Sequence, residues 1–408
     1  MAHKFPDFND STFMSFFKAE GREVLSMLLA DPTMFKPNFT AWQQDFSIDP
    51  EVTPHDNKGN ATVRAYMRQI ENGVLSDMRA PLGDSLPMEQ GQGQFYSAPI
   101  AHFTTKHFHE TTPTMYDKRK RFEELREAYS QADAEFIAAY AEKVQLFLDS
   151  ANMTITNMCE NLMTKGYIYY EGGAGIKAGI YKADIPAENF LKACMYKISG
   201  GVEVQTTWSD SDALMVSSLR RLVKMLNEHF GVEWKWQLDL PKAIWDNYVM
   251  TNKEVLDLVR WKYNVNGQSL PTVQYVTDDM VSSMLAEQSG LPTFFVHDTK
   301  QRDENKGVIS GWAANMVTMR PLGKAGLIRH TNILDAEYFG DEMTNPAISD
   351  VYTPTLYGLG YVENSVWPNG RMKEYRTRII YSATPTLDEY LYHCILNSAS
   401  ASDNGSWI

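Results

Sequence analysis

Three histidines and a carboxylate lie close together near the start of the chain: His102, His107, His109 and Glu110. On an extended strand, side chains two apart share a face, so His107 and His109 would present two imidazoles to one zinc ion. A zinc site needs further ligands converging from elsewhere, and a lone His-x-His is more simply read as polar surface or interface. The thiols Cys159, Cys194 and Cys394 stand far apart, with no Cys-x-x-Cys and no Cys/His ligand spacing. This pattern fits a reducing compartment and no structural zinc.

The other chemistries lack their components. Gly172-Gly173-Ala174-Gly175 has neither the spacing nor the following helix of a dinucleotide loop, and no Gly-x-x-x-x-Gly-Lys-Ser/Thr occurs. A strand-to-helix serine elbow is missing too. Cys159 falls on the packed side of a long helical stretch, a poor environment for a thiolate. Asp278 and Asp279 open a helix, where the macrodipole favours carboxylates without any catalytic role. Trp234, Trp236, Trp245 and Trp261 could form a ligand platform, but their spacing on helix and strand predicts core packing. The reading therefore assigns no catalytic, cofactor-binding or metal-binding residue, no cofactor, and no enzymatic activity.

The chain has 408 residues and 43% hydrophobic content, enough for two or three cored domains. With 51 acidic against 38 basic residues the formal charge is −13, which argues against tight sequence-independent binding of nucleic acid. The densest basic run, Lys118-Arg119-Lys120-Arg121, is balanced at once by Glu123, Glu124 and Glu127 and reads as a solvated helix start. Neither an export signal nor a membrane-spanning run is expected.

Elements must position whatever function remains. From Met115 to Lys165 there is no proline and no glycine, and Phe122, Leu125, Tyr129, Ala132, Phe136, Tyr140, Val144, Phe147, Ala151, Ile155, Met158 and Leu162 recur at steps of three and four. That spacing predicts one helix with one buried and one wet face. At about 1.5 Å per residue it would be a rod of roughly 70 Å, longer than a small domain is wide. Residues 12–29 also carry helical periodicity. Residues 47–112 predict a long hairpin with too few apolar residues to bury itself.

A second hairpin is expected after Gly166, turning through residues 171–179. Between about 200 and 335, helices alternate with strands. The run from Trp208 predicts a helix capped by its own Ser/Asp cluster and stopped at Gly231. Pro241 opens a helix through about Val259, and another runs from Thr277 to near Gly290. Strands are expected at Thr293–His297, Ala314–Met319 and Gly326–His330. Residues 336–370 read as turn-rich. A broken strand then follows, expected to return to the hairpin after the long helix.

The order of these elements, more than any motif, resembles the major capsid proteins of tailed phages, the Hong Kong 97 fold, and specifically the lambda-type head proteins (major capsid protein E family). "HETTPTMYDKRKRFEELREA" is similar to that family's approach to its spine helix. "MCENLMTKGYIYYEGGAGIKAGIYKADIP" is similar to its helix end and hairpin, and "WSDSDALMVSSLRRLVKMLNEHFG" to the entry into its axial domain. "AANMVTMRPLGKAGLIRH" resembles a late strand and turn of that domain, and "GRMKEYRTRIIYSATPTLDEYLYHCILNSAS" the closing strand.

The resemblance implies an α+β capsid fold: an N-terminal arm (1–46), an extended E-loop hairpin (47–112), a peripheral P-domain (113–200 with 336–408) built on a spine helix (115–165), and an axial A-domain (201–335). It implies self-association through hexamers and pentamers into an icosahedral virion shell, assembled in the host cytoplasm around double-stranded DNA without sequence-specific binding. A separate scaffolding protein, a portal and a decoration protein are the implied partners, with no membrane. The alternatives are an encapsulin-like nanocompartment shell on the same fold and a metabolic α/β enzyme built on residues 200–335.

Overall fold

The stretch without helix breakers does what its composition dictates. In the computed structural model a single helix of 34 residues runs from Ala132 to Lys165, about 50 Å at 1.5 Å per residue. The structure describes residues 41–54, 62–67, 94–104, 108–111, 132–170, 179–192, 195–231, 233–264, 276–303, 307–332, 348–352, 359–369 and 372–401. The expected helical stretch at 12–29, the beginning of the spine helix (115–131) and the glycine turn at 171–178 lie outside them.

The helix ends at Gly166, whose φ of +71° is open to glycine and whose N–H donates to Leu162 O at 2.9 Å. The expectation of one wet face fails at its C-terminal half. Ala151, Ile155, Met158, Cys159 and Leu162 are buried, but so are Asn152, Thr156, Glu160 and Thr164, a polar row at steps of four. Each of these polar groups is bonded. Thr156 Oγ1 donates to Asn152 O (2.8 Å) and Thr164 Oγ1 to Glu160 O (2.7 Å). Asn152 donates to Leu148 O and accepts from Trp42 Nε1 (2.9 Å).

The chain divides into two units. The first comprises residues 1–63, 98–156 and 328–385. Its largest sheet pairs Gly360–Asn369 with Met372–Ser382, and the latter pairs on its far edge with His102–Thr104 and Phe108–Thr111. Ile348–Tyr352 adds outside Gly360–Asn369. The turn-rich reading of 336–370 is thus corrected at Ile348–Tyr352 and Gly360–Asn369, and the rest of that range lies largely outside the described residues. Tyr361, Val362, Val366 and Trp367 are β-formers, and the ten-residue register with the next strand holds them extended despite Gly360 and Pro368. The long hairpin expected within 47–112 is present as Thr62–Met67 paired with Gln94–Pro99.

The second unit comprises residues 64–97, 157–327 and 386–408. Its five-stranded mixed sheet has the order Thr293–His297, Trp236–Pro241, Met316–Pro321, Cys394–Asn397, Phe190–Lys192. The closing strand therefore returns to this sheet. It does not join the hairpin Tyr167–Tyr170/Gly179–Lys182, which stays two-stranded among the described residues. Leu238, Leu240, Val317, Met319 and Leu396 meet Leu219, Leu222 and Leu226 of helix Met215–Phe230, Val255 and Val259 of helix Lys253–Asn264, and Val281, Met284 and Leu285 of helix Asp278–Glu287 in one core.

Two local expectations are revised here. The Ser/Asp cluster does not cap helix Met215–Phe230. Glu254 of the neighbouring helix does, accepting from Val216 N (2.7 Å) and Ser217 Oγ (2.6 Å). Asp210 is instead engaged by Lys197 Nζ and Thr206 Oγ1. The helix opened by Pro241 is interrupted at Asn252, whose side chain donates to Ala213 O (2.8 Å) and accepts from Val255 N (3.2 Å), starting a new helix.

At Gly326 a Cβ would overlap the carbonyl of Thr386, so any side chain must push the facing backbones away from each other. Gly326→Ala is expected to cost about 1–3 kcal/mol, read as a lower urea midpoint of the unassembled chain. Gly311→Ala, whose Cβ would crowd Asn157 and Glu160 of the long helix, is expected to move the midpoint in the same direction.

Candidate functional site

Strand Trp236–Pro241 alternates strictly. Leu238 and Leu240 face the helices; Gln237 and Asp239 face the other way and are buried all the same. The antiparallel register sets Gln237 opposite Arg320 and Asp239 opposite Thr318, and the parallel register sets Pro241 opposite His297. Period two therefore gathers Gln237, Asp239, Thr318, Arg320 and His297 on one buried polar face.

Asp239 is its centre and is fully buried. Arg320 Nε donates to Oδ2 at 2.8 Å and Gln237 Nε2 to Oδ1 at 2.6 Å; Thr318 Oγ1 stands 3.4 Å from Oδ2, and His297 Nε2 3.4 Å from Oδ1. Burial pushes the carboxyl up, but the Arg320 guanidinium, with His297 and Gln237, outweighs it and holds Asp239 below the usual carboxylate range. The His297 ring stacks on Trp312 at 4.3 Å. A buried carboxylate with both oxygens already engaged locks this sheet face.

A second buried carboxylate ties the long helix to the segment after strand Thr293–His297. Glu160 accepts from Thr299 Oγ1 and from Gln301 Nε2 (3.4 Å), and Asn157 Nδ2 donates to Gln301 Oε1 at 2.7 Å. Ala313 N reaches Thr164 Oγ1 at 3.3 Å. His393 is buried with Nε2 donating to Met163 O at 2.8 Å; burial lowers its pKa to about 4.

Among the described residues, those weighed from sequence do not converge. His102 pairs in register with Ser382 and His109 with Arg376, six residues apart on the same strand and thus about 20 Å from one another. His107 and Cys194 lie outside the described residues. Cys159 and Cys394 are buried thiols. Asp278 opens helix Asp278–Glu287 beside the Thr277 cap and pairs with Lys242 Nζ at 2.5 Å.

Trp236 and Trp245 are core residues and Trp234 packs against them. Trp261 is the exception at 68% exposed. On its helix Val255 and Val259 face inward, and two positions past Val259 the turn of the helix points Trp261 outward. The cluster around Asp239 escaped the sequence reading because polar alternation along a strand is the ordinary mark of a wet face. No helix among the described residues is long and apolar enough to cross a membrane.

No family model matches the chain, and no curated protein matches its sequence. Among solved structures, the chain is similar to a prophage protein of E. coli CFT073 assigned as a capsid protein (12% identity, TM-score 0.47, covering 95% of this chain and 99% of that one). It is also similar to a phage-related protein of Bordetella bronchiseptica RB50 (12% identity, TM-score 0.47, covering 93% and 97%). A further likeness is to the capsid of cyanophage A-1(L) (12% identity, TM-score 0.40, covering 83% and 87%).

Arg320→Met, which strands the Asp239 charge, is expected to cost about 3–5 kcal/mol, and Asp239→Leu together with Arg320→Met to recover most of that loss, in a double-mutant cycle read by urea unfolding. His393 supplies a pH signature. Its folded pKa lies below the unfolded value near 6.5, so between about pH 6.5 and 4 the unfolded chain binds a proton that the folded one refuses. Stability is full above that window and falls by roughly 3 kcal/mol as pH drops through it. His393→Gln, which keeps a donor for Met163 O, is expected to flatten that slope.

Proposed function

We propose that this chain is the major capsid protein of a tailed phage: a structural subunit, without catalysis, whose copies assemble through hexamers and pentamers into an icosahedral shell around double-stranded DNA. The observation that carries the reading is the order of elements along the chain. The hairpin Thr62–Met67/Gln94–Pro99 precedes the 34-residue helix; the hairpin Tyr167–Tyr170/Gly179–Lys182 follows it; then come a helix-covered sheet and a closing strand. This is the order that the capsid resemblance of the sequence implies.

In this reading residues 1–46 are the arm, 47–112 the E-loop, and 113–200 with 336–408 the peripheral domain. Residues 201–335 are the axial domain, extended by Phe190–Lys192 and Cys394–Asn397, which share its sheet. Heterologous contacts that close into rings give capsomers, and small differences between five- and six-fold rings close the surface. The acidic balance suits a container, since a wall that does not grip phosphates leaves packaged DNA mobile. A scaffolding protein, a portal and a decoration protein are the partners such a shell takes, in the host cytoplasm during assembly and in the virion afterwards.

Negative-stain microscopy of the expressed chain tests this. Closed polyhedral shells, tubes or hexameric sheets are expected. A chain that stays dispersed under every assembly condition contradicts the proposal, and particles filled with cargo protein in place of DNA would move it to a nanocompartment shell.

A further inference from the structure

Helix Met215–Phe230 and the turn after helix Asp278–Glu287 enclose a cleft of about 540 Å³, wholly within the second unit. Val223 lines it and packs from there against the core. Arg220 lies along one side with the edge of its guanidinium engaged: Nε donates to Ser289 O (3.2 Å) and Nη2 to Gln288 Oε1 (2.7 Å). Bonds along the edge hold such a plane in place and leave its face for stacking. Gly290, at φ +75°, adds no side chain over that face. Lys224 and Glu228, 3.7 Å apart, line the cleft further along the helix. Glu233 also lines it; it is exposed and holds no hydrogen bond or ion pair with any described residue.

An apolar floor, a cationic plane and an unused carboxylate are together what an indole asks for: a surface for the ring, a cation against its face and an acceptor for its N–H. An aliphatic side chain would use the floor alone, and phenylalanine would leave the carboxylate unmet. A lysine or arginine would face Arg220 and Lys224, and a carboxylate would face Glu228 and Glu233. The chain itself presents the matching group. Trp261, 68% exposed near the end of helix Lys253–Asn264, has no hydrogen bond or ring contact with any described residue and does not line the cleft of its own copy. Of the tryptophans whose burial is described, it alone is exposed. Its neighbours Asp257 and Arg260 form an ion pair at 3.0 Å, and the cleft carries two charges of each sign, so the two surfaces meet without net repulsion.

We propose that this cleft takes a second copy of the chain, with Trp261 of one copy seated in the cleft of the other. The indole ring lies on Val223 and against the face of Arg220, and its Nε1–H donates to Glu233. A large aromatic anchor entering a preformed socket is the arrangement that carries most of the energy in protein interfaces, and tryptophan is the residue type most enriched in that role. The inference rests on the self-assembly reading for its partner, and adds to it a named anchor and a named socket.

Two readouts test the contact. Trp261→Ala is expected to raise the concentration at which particles form at least ten-fold and to leave the urea midpoint of the unassembled chain unchanged, because the side chain it removes is exposed. Trp261→Phe, which keeps a ring and loses the donor, is expected to fall between the two. Proximity is read separately with a short bismaleimide, at a concentration where the variants assemble. Trp261→Cys chains alone and Glu233→Cys chains alone are expected to stay single on a denaturing gel, and the two assembled together to give a two-chain band. The unsubstituted chain, with Cys159 and Cys394 buried, gives the background. If the unsubstituted chain forms particles, an unchanged threshold for Trp261→Ala, or no two-chain band in the mixture, overturns this contact and leaves the container reading standing. If it forms none, that reading fails separately; the same mixture of free chains at high concentration then tests the contact, and absence of the two-chain band overturns it as well.

Discussion

A buried polar group must be hydrogen-bonded or it destabilises the fold, and this chain buries polar groups in rows. Asn152, Thr156, Glu160 and Thr164 lie along one side of the long helix, and Gln237, Asp239, Thr318, Arg320 and His297 cover one face of the five-stranded sheet. Every other feature of these elements serves that constraint. Thr299 and Gln301 satisfy Glu160, Asn157 donates in turn to Gln301, and Arg320 neutralises Asp239. Gly311 lacks a side chain where the backbone must lie against Asn157. Such networks fix direction and register in a way that apolar contact cannot, because a shift of one residue leaves charges unpaired.

Much of the fold was legible in the sequence. A stretch without proline or glycine, with apolar residues at steps of three and four, can only be a long helix, and the strands Thr293–His297, Met316–Pro321 and Gly326–Thr331 stand within a residue or two of their expected places. What escaped was tertiary. Glu254 caps a helix through Val216, 38 positions earlier in the chain, a partnership no local spacing announces. Gly360–Asn369 looked like turns because its glycine, asparagines and proline were judged alone, without the paired strand that holds them. The closing strand was expected beside the wrong hairpin because its apolar composition says that it needs a sheet, and not which one.

The candidate site shows the same limit from the other side. Sequence reasoning found no constellation for catalysis, and among the described residues it weighed, His102 and His109 lie on separate strands, Asp278 opens a helix, and Cys159, Cys394, Trp236 and Trp245 are buried. The polar cluster it missed is built of residues that read as a solvated strand face, and its burial becomes visible only once Trp312 is seen stacked over His297. A saturated carboxylate of this kind stiffens a subunit.

The central claim is that copies of this chain are made to complete one another. Sedimentation velocity across a concentration series tests it most directly. The account predicts that the single-chain species gives way to discrete ring-sized species and then to much larger closed particles as concentration rises. One species of single-chain mass, unchanged from dilute to concentrated solution, would contradict it.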